Sequence, residues 1–143
     1  MHVTNIGFQG SRTYRGEGDM AGGKDTLVGI VDDDEEVRDS ISTLFRSAGI
    51  AVCGFEAAES LLASVELPTM RCVITDLHMH GMDGLDLQRE LKARGRDVPV
   101  ILMTAYPTPE ARERARLLGV ARFVAKPADP EWLLGEVETL LLA

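Results

Sequence analysis

The run Leu27-Val28-Gly29-Ile30-Val31, halted by Asp32-Asp33-Asp34, constrains this chain more than any other stretch. An unbroken apolar run that stops on three acids has no solvent-facing side, so it reads as a strand buried on both faces. The pattern recurs. Cys72-Val73-Ile74-Thr75 stops at Asp76, Pro99-Val100-Ile101-Leu102-Met103 stops at Thr104, and Arg122 to Ala125 runs into Lys126. Ala51 to Phe55 completes the set of short strands. Between them the apolar spacing becomes helical. Val37, Ile41, Leu44, Phe45 and Ala48 make one stripe, closed by Gly49 where a left-handed residue is needed. Further helices are predicted over Ala58 to Val65, over Leu85 to Arg94 with Leu87 and Leu91 facing inward, and over Glu110 to Leu118. Pro109 opens that third one and Gly119 follows its end. Asp129-Pro130 caps and starts a last helix, whose apolar stripe reads as Trp132, Leu133, Val137, Leu140 and Leu141, with Trp132 expected in the core.

Five β–α units joined by short links imply an α/β fold: a doubly wound, five-stranded parallel sheet with five helices covering both faces. In such sheets ligands bind outside the carboxyl ends of the strands. Asp32, Asp33, Asp34, Asp76, Thr104 and Lys126 all fall there. Several carboxylates on one rim repel one another unless a cation joins them, and all-oxygen ligation suits Mg²⁺. A lysine and a threonine hydroxyl facing the same point could receive a phosphoryl group carried on a carboxylate, since phosphoryl transfer depends on positioning and charge neutralisation. Acids at strand ends are commonly helix caps, which accounts for Asp34 and Asp129. Capping leaves the shared edge of Lys126, Thr104 and Asp76 unexplained.

The fragments Ile30-Val31-Asp32-Asp33-Asp34, Ile74-Thr75-Asp76-Leu77-His78-Met79, Met103-Thr104-Ala105 and Phe123-Val124-Ala125-Lys126-Pro127 resemble the receiver domain of two-component response regulators. The resemblance runs from about Leu27 to Ala143, and Glu35 to Ser40 most resembles receivers of the nitrogen-fixation regulator type. It implies the flavodoxin-like receiver fold with strand order 2-1-3-4-5, counted from Leu27, as in single-domain chemotaxis proteins. It implies that Asp76 accepts the phosphoryl group, that Asp32 and Asp33 hold Mg²⁺ with Asp76, and that His78 adds its backbone carbonyl to the metal. Thr104 and Lys126 would each bind a phosphoryl oxygen, Phe123 would be the rotating aromatic switch, and the Lys126-Pro127 bond would be cis. The implied donor is a sensor histidine kinase or a phosphotransfer protein. The chain would then be a phosphoacceptor rather than an enzyme, with self-dephosphorylation as its one reaction on its own account. One departure stands out: His80 occupies the place where receivers usually have a proline that shapes the loop before Gly84. Tyr106 lies two residues after Thr104, where receivers vary and where a bulky ring restricts access to Asp76.

The net charge of -8 argues against binding nucleic acid by phosphate neutralisation. No apolar run approaches a membrane span and the N-terminus lacks a signal-peptide core, so a cytoplasmic setting is expected. Residues 1–26 are glycine-rich, electrically neutral and without periodicity; they read as a flexible tail ahead of a receiver domain at 27–143, with Met20 an alternative start. With the chain ending at Ala143, output is expected through protein contacts, by a monomer or a phosphorylation-linked dimer. Arg112 and Arg116, neighbours on the fourth helix, offer a basic stripe on the face formed by that helix, the fifth strand and the last helix. Such a stripe suits an acidic target, and a plain solvated face is the competing reading.

Three other chemistries compete with this reading. His78 and His80 beside Asp83 and Asp86 could form a transition-metal site. An aspartate-nucleophile phosphatase of the haloacid-dehalogenase type needs a second aspartate two residues after the nucleophile, where His78 stands. A receiver-like binding module that is never phosphorylated would not need the intact set Asp33, Asp76, Thr104 and Lys126. Cys53 and Cys72 fall on strands separated by a third, about 10 Å apart and beyond disulfide reach, so both are expected as buried thiols.

Overall fold

The strands are β1 (Arg12–Tyr14), β2 (Leu27–Val31), β3 (Ala51–Phe55), β4 (Met70–Asp76), β5 (Val100–Thr104) and β6 (Arg122–Ala125). The helices are α1 (Glu35–Ser47), α2 (Ala58–Leu62), α3 (Gly84–Ala93), α4 (Pro109–Leu117) and α5 (Pro130–Leu142). A computed structural model describes residues 26–142 and the backbone of Arg12–Tyr14. Within it the sheet order is β1-β3-β2-β4-β5-β6. The five strands from Leu27 onward are parallel and follow the expected 2-1-3-4-5 order. Every residue of β2, β3 and β5 is buried, as unbroken apolar runs require of central parallel strands.

The helices cover both faces. On one side α1 and α5 bring Ile41, Phe45, Leu133 and Val137 onto Ile30, Ile74 and Ile101. On the other, α2 and α3 bring Leu61, Leu87 and Leu91 onto Val31 and Val73. Ala111 and Ala115 seat α4 on Leu102. The predicted stops hold: Gly49 and Gly119 have φ of 86° and 82°, a region a side chain resists. Asp34 caps α1 by accepting the Glu36 N–H, and Thr108 caps α4 by accepting the Ala111 N–H.

Three features differ from expectation. Arg12–Tyr14, inside the stretch read as tail, pairs antiparallel with β3, with Thr13 opposite Cys53. Three residues joined through backbone hydrogen bonds need no side-chain alternation, so no pattern announced them. The rest of the tail, and Met20 as a start, lie outside the described residues. The second helix ends at Leu62 rather than Val65, which is 93% exposed, and a 3₁₀ turn at Leu67–Thr69 follows. Ser64 Oγ accepts the Glu66 N–H at 3.0 Å, a local bond that competes with continuing the helix. Finally, Trp132 is 45% exposed, whereas Leu133 is buried. Successive helical residues point about 100° apart, so the two cannot both face the sheet.

Cys53 and Cys72 are buried thiols in no disulfide, with β2 between their strands, and burial pushes the Cys72 thiol up to about 12. Gly84 opens α3 beneath the end of β4. Its N–H donates to the Leu77 carbonyl at 2.9 Å, and a Cβ there would lie 2.6 Å from the Asp76 carbonyl oxygen and 2.5 Å from Leu102 Cδ1. The leucine tip could rotate away, but the Asp76 backbone has nowhere to go. Gly84→Ala is therefore expected to lower stability by about 2 kcal/mol in urea unfolding, and an unchanged midpoint would refute the steric argument.

Candidate functional site

The register of four parallel strands decides which side chains meet. Asp76 and Thr104 are the last residues of β4 and β5, Asp32 follows β2, and Lys126 follows β6. Asp32 is fully buried: its Oδ1 accepts the Asp34 N–H at 2.9 Å and its Oδ2 accepts from Lys126 Nζ at 2.9 Å. Arg38 of α1 donates to the Asp32 carbonyl, tying the first helix to the rim. Lys126 Nζ also lies 3.4 Å from Asp76 Oδ2. The lysine is anchored through its backbone N–H, which donates to the Thr104 carbonyl at 2.8 Å, and its bond to Pro127 is cis. Thr104 is buried, and its Oγ1 accepts the Tyr106 N–H at 2.9 Å, so its own hydroxyl proton remains to be donated.

Burial, and then the neighbouring Asp32 carboxylate, raise the Asp76 pKa above its ordinary 3.8, with Lys126 and the backbone of His78 acting in the opposite direction. Burial works against the Lys126 ammonium too, but its hydrogen bond to Asp32 and the charges of Asp32 and Asp76 outweigh that and raise its pKa. A carboxyl whose folded pKa is raised stabilises the fold while protonated. That contribution is complete below the unfolded pKa and is lost as pH rises through the folded pKa. Ionised Asp76 therefore costs stability at neutral pH in metal-free protein. Asp76→Asn is expected to melt several degrees higher than the native chain in EDTA at pH 7, with the gap closing as pH falls toward 4. A gap that does not vary with pH would contradict this reading.

Asp32, Asp33 and Asp76 each place a carboxylate oxygen within 4.8 Å of the other two, and Asp33 is exposed while its two partners are buried. Three carboxylates against one ammonium leave two negative charges, matched by a divalent ion. Hard oxygen donors open to water on the Asp33 side suit Mg²⁺, which keeps part of its hydration shell. Among the described residues this is the one cluster of three or more potential ligands, so His78, His80, Asp83 and Asp86 are not assembled into a transition-metal site.

His78 is exposed and its ring stands edge-on to Tyr106, with centroids 5.9 Å apart. Tyr106 is itself 70% exposed. Phe123 of β6 is half-buried against α4, and the Arg112 guanidinium sits 4.7 Å from its ring centroid. Of the basic stripe, Arg116 is engaged by Glu113 at 2.7 Å. Sequence reading missed Arg38, whose contact is to a backbone oxygen, and Glu59, whose carboxylate accepts the Met82 N–H at 2.9 Å from 23 residues away. Neither contact leaves a periodic trace.

Fold and rim together define a small α/β domain whose chemistry sits at the carboxyl ends of its strands. Residues 28–138 match the response regulator receiver domain family. The transcriptional regulatory protein FixJ of Azorhizobium caulinodans is 36% identical over 114 residues, which is 80% of this chain and 54% of FixJ. The response regulator protein TodT of Pseudomonas putida is 34% identical over 116 residues, or 81% of this chain and 51% of TodT. The crystal structure of a response regulator receiver protein from Pseudomonas putida superposes with a TM-score of 0.74 at 31% identity, covering 80% of this chain and 96% of that one. The chain belongs to the response regulator receiver family of two-component systems. It spans about half the length of these curated relatives. None of the helices among its described residues is long and apolar enough to cross a membrane.

Proposed function

We propose that this chain is a phosphorylation-controlled signalling switch that takes a phosphoryl group on Asp76 from a histidine kinase or phosphotransfer protein. One observation carries the reading: the hydrogen-bonding of the two buried carboxylates is divided unequally. Lys126 Nζ bonds Asp32 Oδ2 at 2.9 Å, on a side chain with no exposure, whereas it stands 3.4 Å from Asp76 Oδ2, whose side chain keeps 9% of its surface open to solvent. An Asp76 oxygen attacks phosphorus, the bond from phosphorus to the donor breaks, and the donor leaves with that electron pair. Lys126 then pairs with one phosphoryl oxygen and the Thr104 hydroxyl donates to another. Mg²⁺ held by Asp32, Asp33, Asp76 and the His78 carbonyl supplies further charge neutralisation when bound. Recruitment of Thr104 and Lys126 to the new charge biases Phe123, and with it the face of α4, β6 and α5, toward an output form.

The acidic balance supports output through protein contacts without direct nucleic-acid binding by this domain; a cytoplasmic setting belongs to the same proposal. Arg112 and Arg116 on α4 would meet an acidic target, or a second copy in a phosphorylation-linked dimer. Incubation with Mg²⁺ and acetyl phosphate tests the assignment: intact mass should rise by one phosphoryl group, about 80 Da and labile at alkaline pH, as an acyl phosphate is. No adduct from small donors or from a cognate kinase would favour a protein-binding module that is never phosphorylated.

Tyr106 follows Thr104 by two residues, and its ring packs edge-on against that of His78, two residues after Asp76. A bulky ring there hinders the water that must reach the acyl phosphate, so Tyr106→Ala is expected to shorten the phospho-Asp76 half-life severalfold. An unchanged half-life would remove the idea.

A further inference from the structure

The loop between β4 and α3 carries the His78 carbonyl but has histidine at position 80, where the family resemblance leads one to expect a rigidifying proline. Its conformation must come from elsewhere. At one end the Leu77 N–H donates to the Met103 carbonyl at 2.7 Å. At the other, Asp83 and Asp86 form a reciprocal capping box on α3. Between these anchors, the one hydrogen bond described from residues 79 to 82 to another element is that of the Met82 N–H with Glu59 Oε2 of α2, at 2.9 Å. Gly81, at φ of 76°, makes room for this contact: a Cβ on it would lie 2.8 Å from the same Glu59 oxygen. The α2 N-cap, Ala57, offers no side-chain cap, yet Glu59 in that helix's first turn has turned its carboxylate to the loop.

We propose that Glu59 is a positioning residue that holds the loop in the geometry needed for Mg²⁺ to bind at the aspartate rim, taking over the restraint a proline at position 80 would provide. The proposal rests on the Mg²⁺-dependent reading above. Its logic is preorganisation: a carbonyl already aimed at the metal costs less to order on binding than one carried on a free loop. The hydrogen bond matters rather than the negative charge, because the amide oxygen of glutamine could accept the same N–H.

The test is Mg²⁺ affinity by titration calorimetry on the full chain, together with amide exchange at Gly81 and Met82 without metal. Glu59→Ala should bind Mg²⁺ about tenfold more weakly and exchange those amides faster. Glu59→Gln should stay close to the native chain, and adding His80→Pro to Glu59→Ala should restore most of the affinity. The proposal is overturned if Glu59→Ala binds Mg²⁺ like the native chain, if Glu59→Gln loses as much as Glu59→Ala, or if His80→Pro restores nothing. A native chain that binds no Mg²⁺ at all would instead bring down the functional reading beneath it.

Discussion

Asp76→Ala, given Mg²⁺ and acetyl phosphate, is expected to gain no mass while the native chain gains one phosphoryl group. The loss should be complete over the time in which native protein is phosphorylated, although Asp32 and Asp33 remain within 4.8 Å of the vacated position. Asp32 cannot substitute because its side chain has no exposure, whereas that of Asp76 is 9% exposed. Asp33 lies on the exposed side of the cluster. An adduct on Asp76→Ala of the same alkaline lability would assign the acceptor to one of those two residues. A folding defect would not imitate the expected result, because removing Asp76 relieves repulsion with Asp32, and a melting curve taken alongside should show a stable chain.

The second large effect concerns Lys126. Lys126→Met would leave the fully buried Asp32 carboxylate facing Asp76 with no cation between them. Removing one partner of a buried ion pair costs more than the pair contributes, because the remaining charge stays desolvated. Lys126 is 20% exposed along its side chain, so the expected loss is about 2 to 4 kcal/mol, somewhat less than for a fully buried pair. Urea unfolding in EDTA at neutral pH reads it directly. Millimolar Mg²⁺ should then recover much of the loss, since a divalent ion among Asp32, Asp33 and Asp76 replaces the missing charge and stabilises only the folded state. If Mg²⁺ recovers nothing, the three carboxylates do not form a metal site. If metal-free Lys126→Met is as stable as the native chain, the Lys126–Asp32 pair has no structural weight.

Much of this rim was legible because its members terminate apolar runs. A parallel strand buried on both faces must change character where it leaves the core, and Asp32, Asp76, Thr104 and Lys126 each mark such an exit. The glycine stops and the Asp34 cap were readable for a similar reason: each meets a local backbone demand within a few residues. Trp132 shows the limit. Several apolar side chains on α5 could have faced the sheet, and only the docked angle of the helix seats Leu133 and Val137 while leaving Trp132 at the surface.

By itself, the sequence determined the number and type of the core elements, the parallel sheet, and the identity of the residues at its carboxyl edge. Those follow from periodicity and chain-local chemistry. Only the tertiary structure decided how the edge is wired: that Lys126 favours Asp32 over Asp76, that Arg38 holds the Asp32 carbonyl, that Arg112 lies over Phe123, and that Glu59 grips Met82. It also placed Arg12–Tyr14 along β3. These contacts join residues far apart in the chain through single hydrogen bonds, ring faces or bare backbone. Nothing in local spacing records such partners, because strand register and helix packing choose them after the elements have formed.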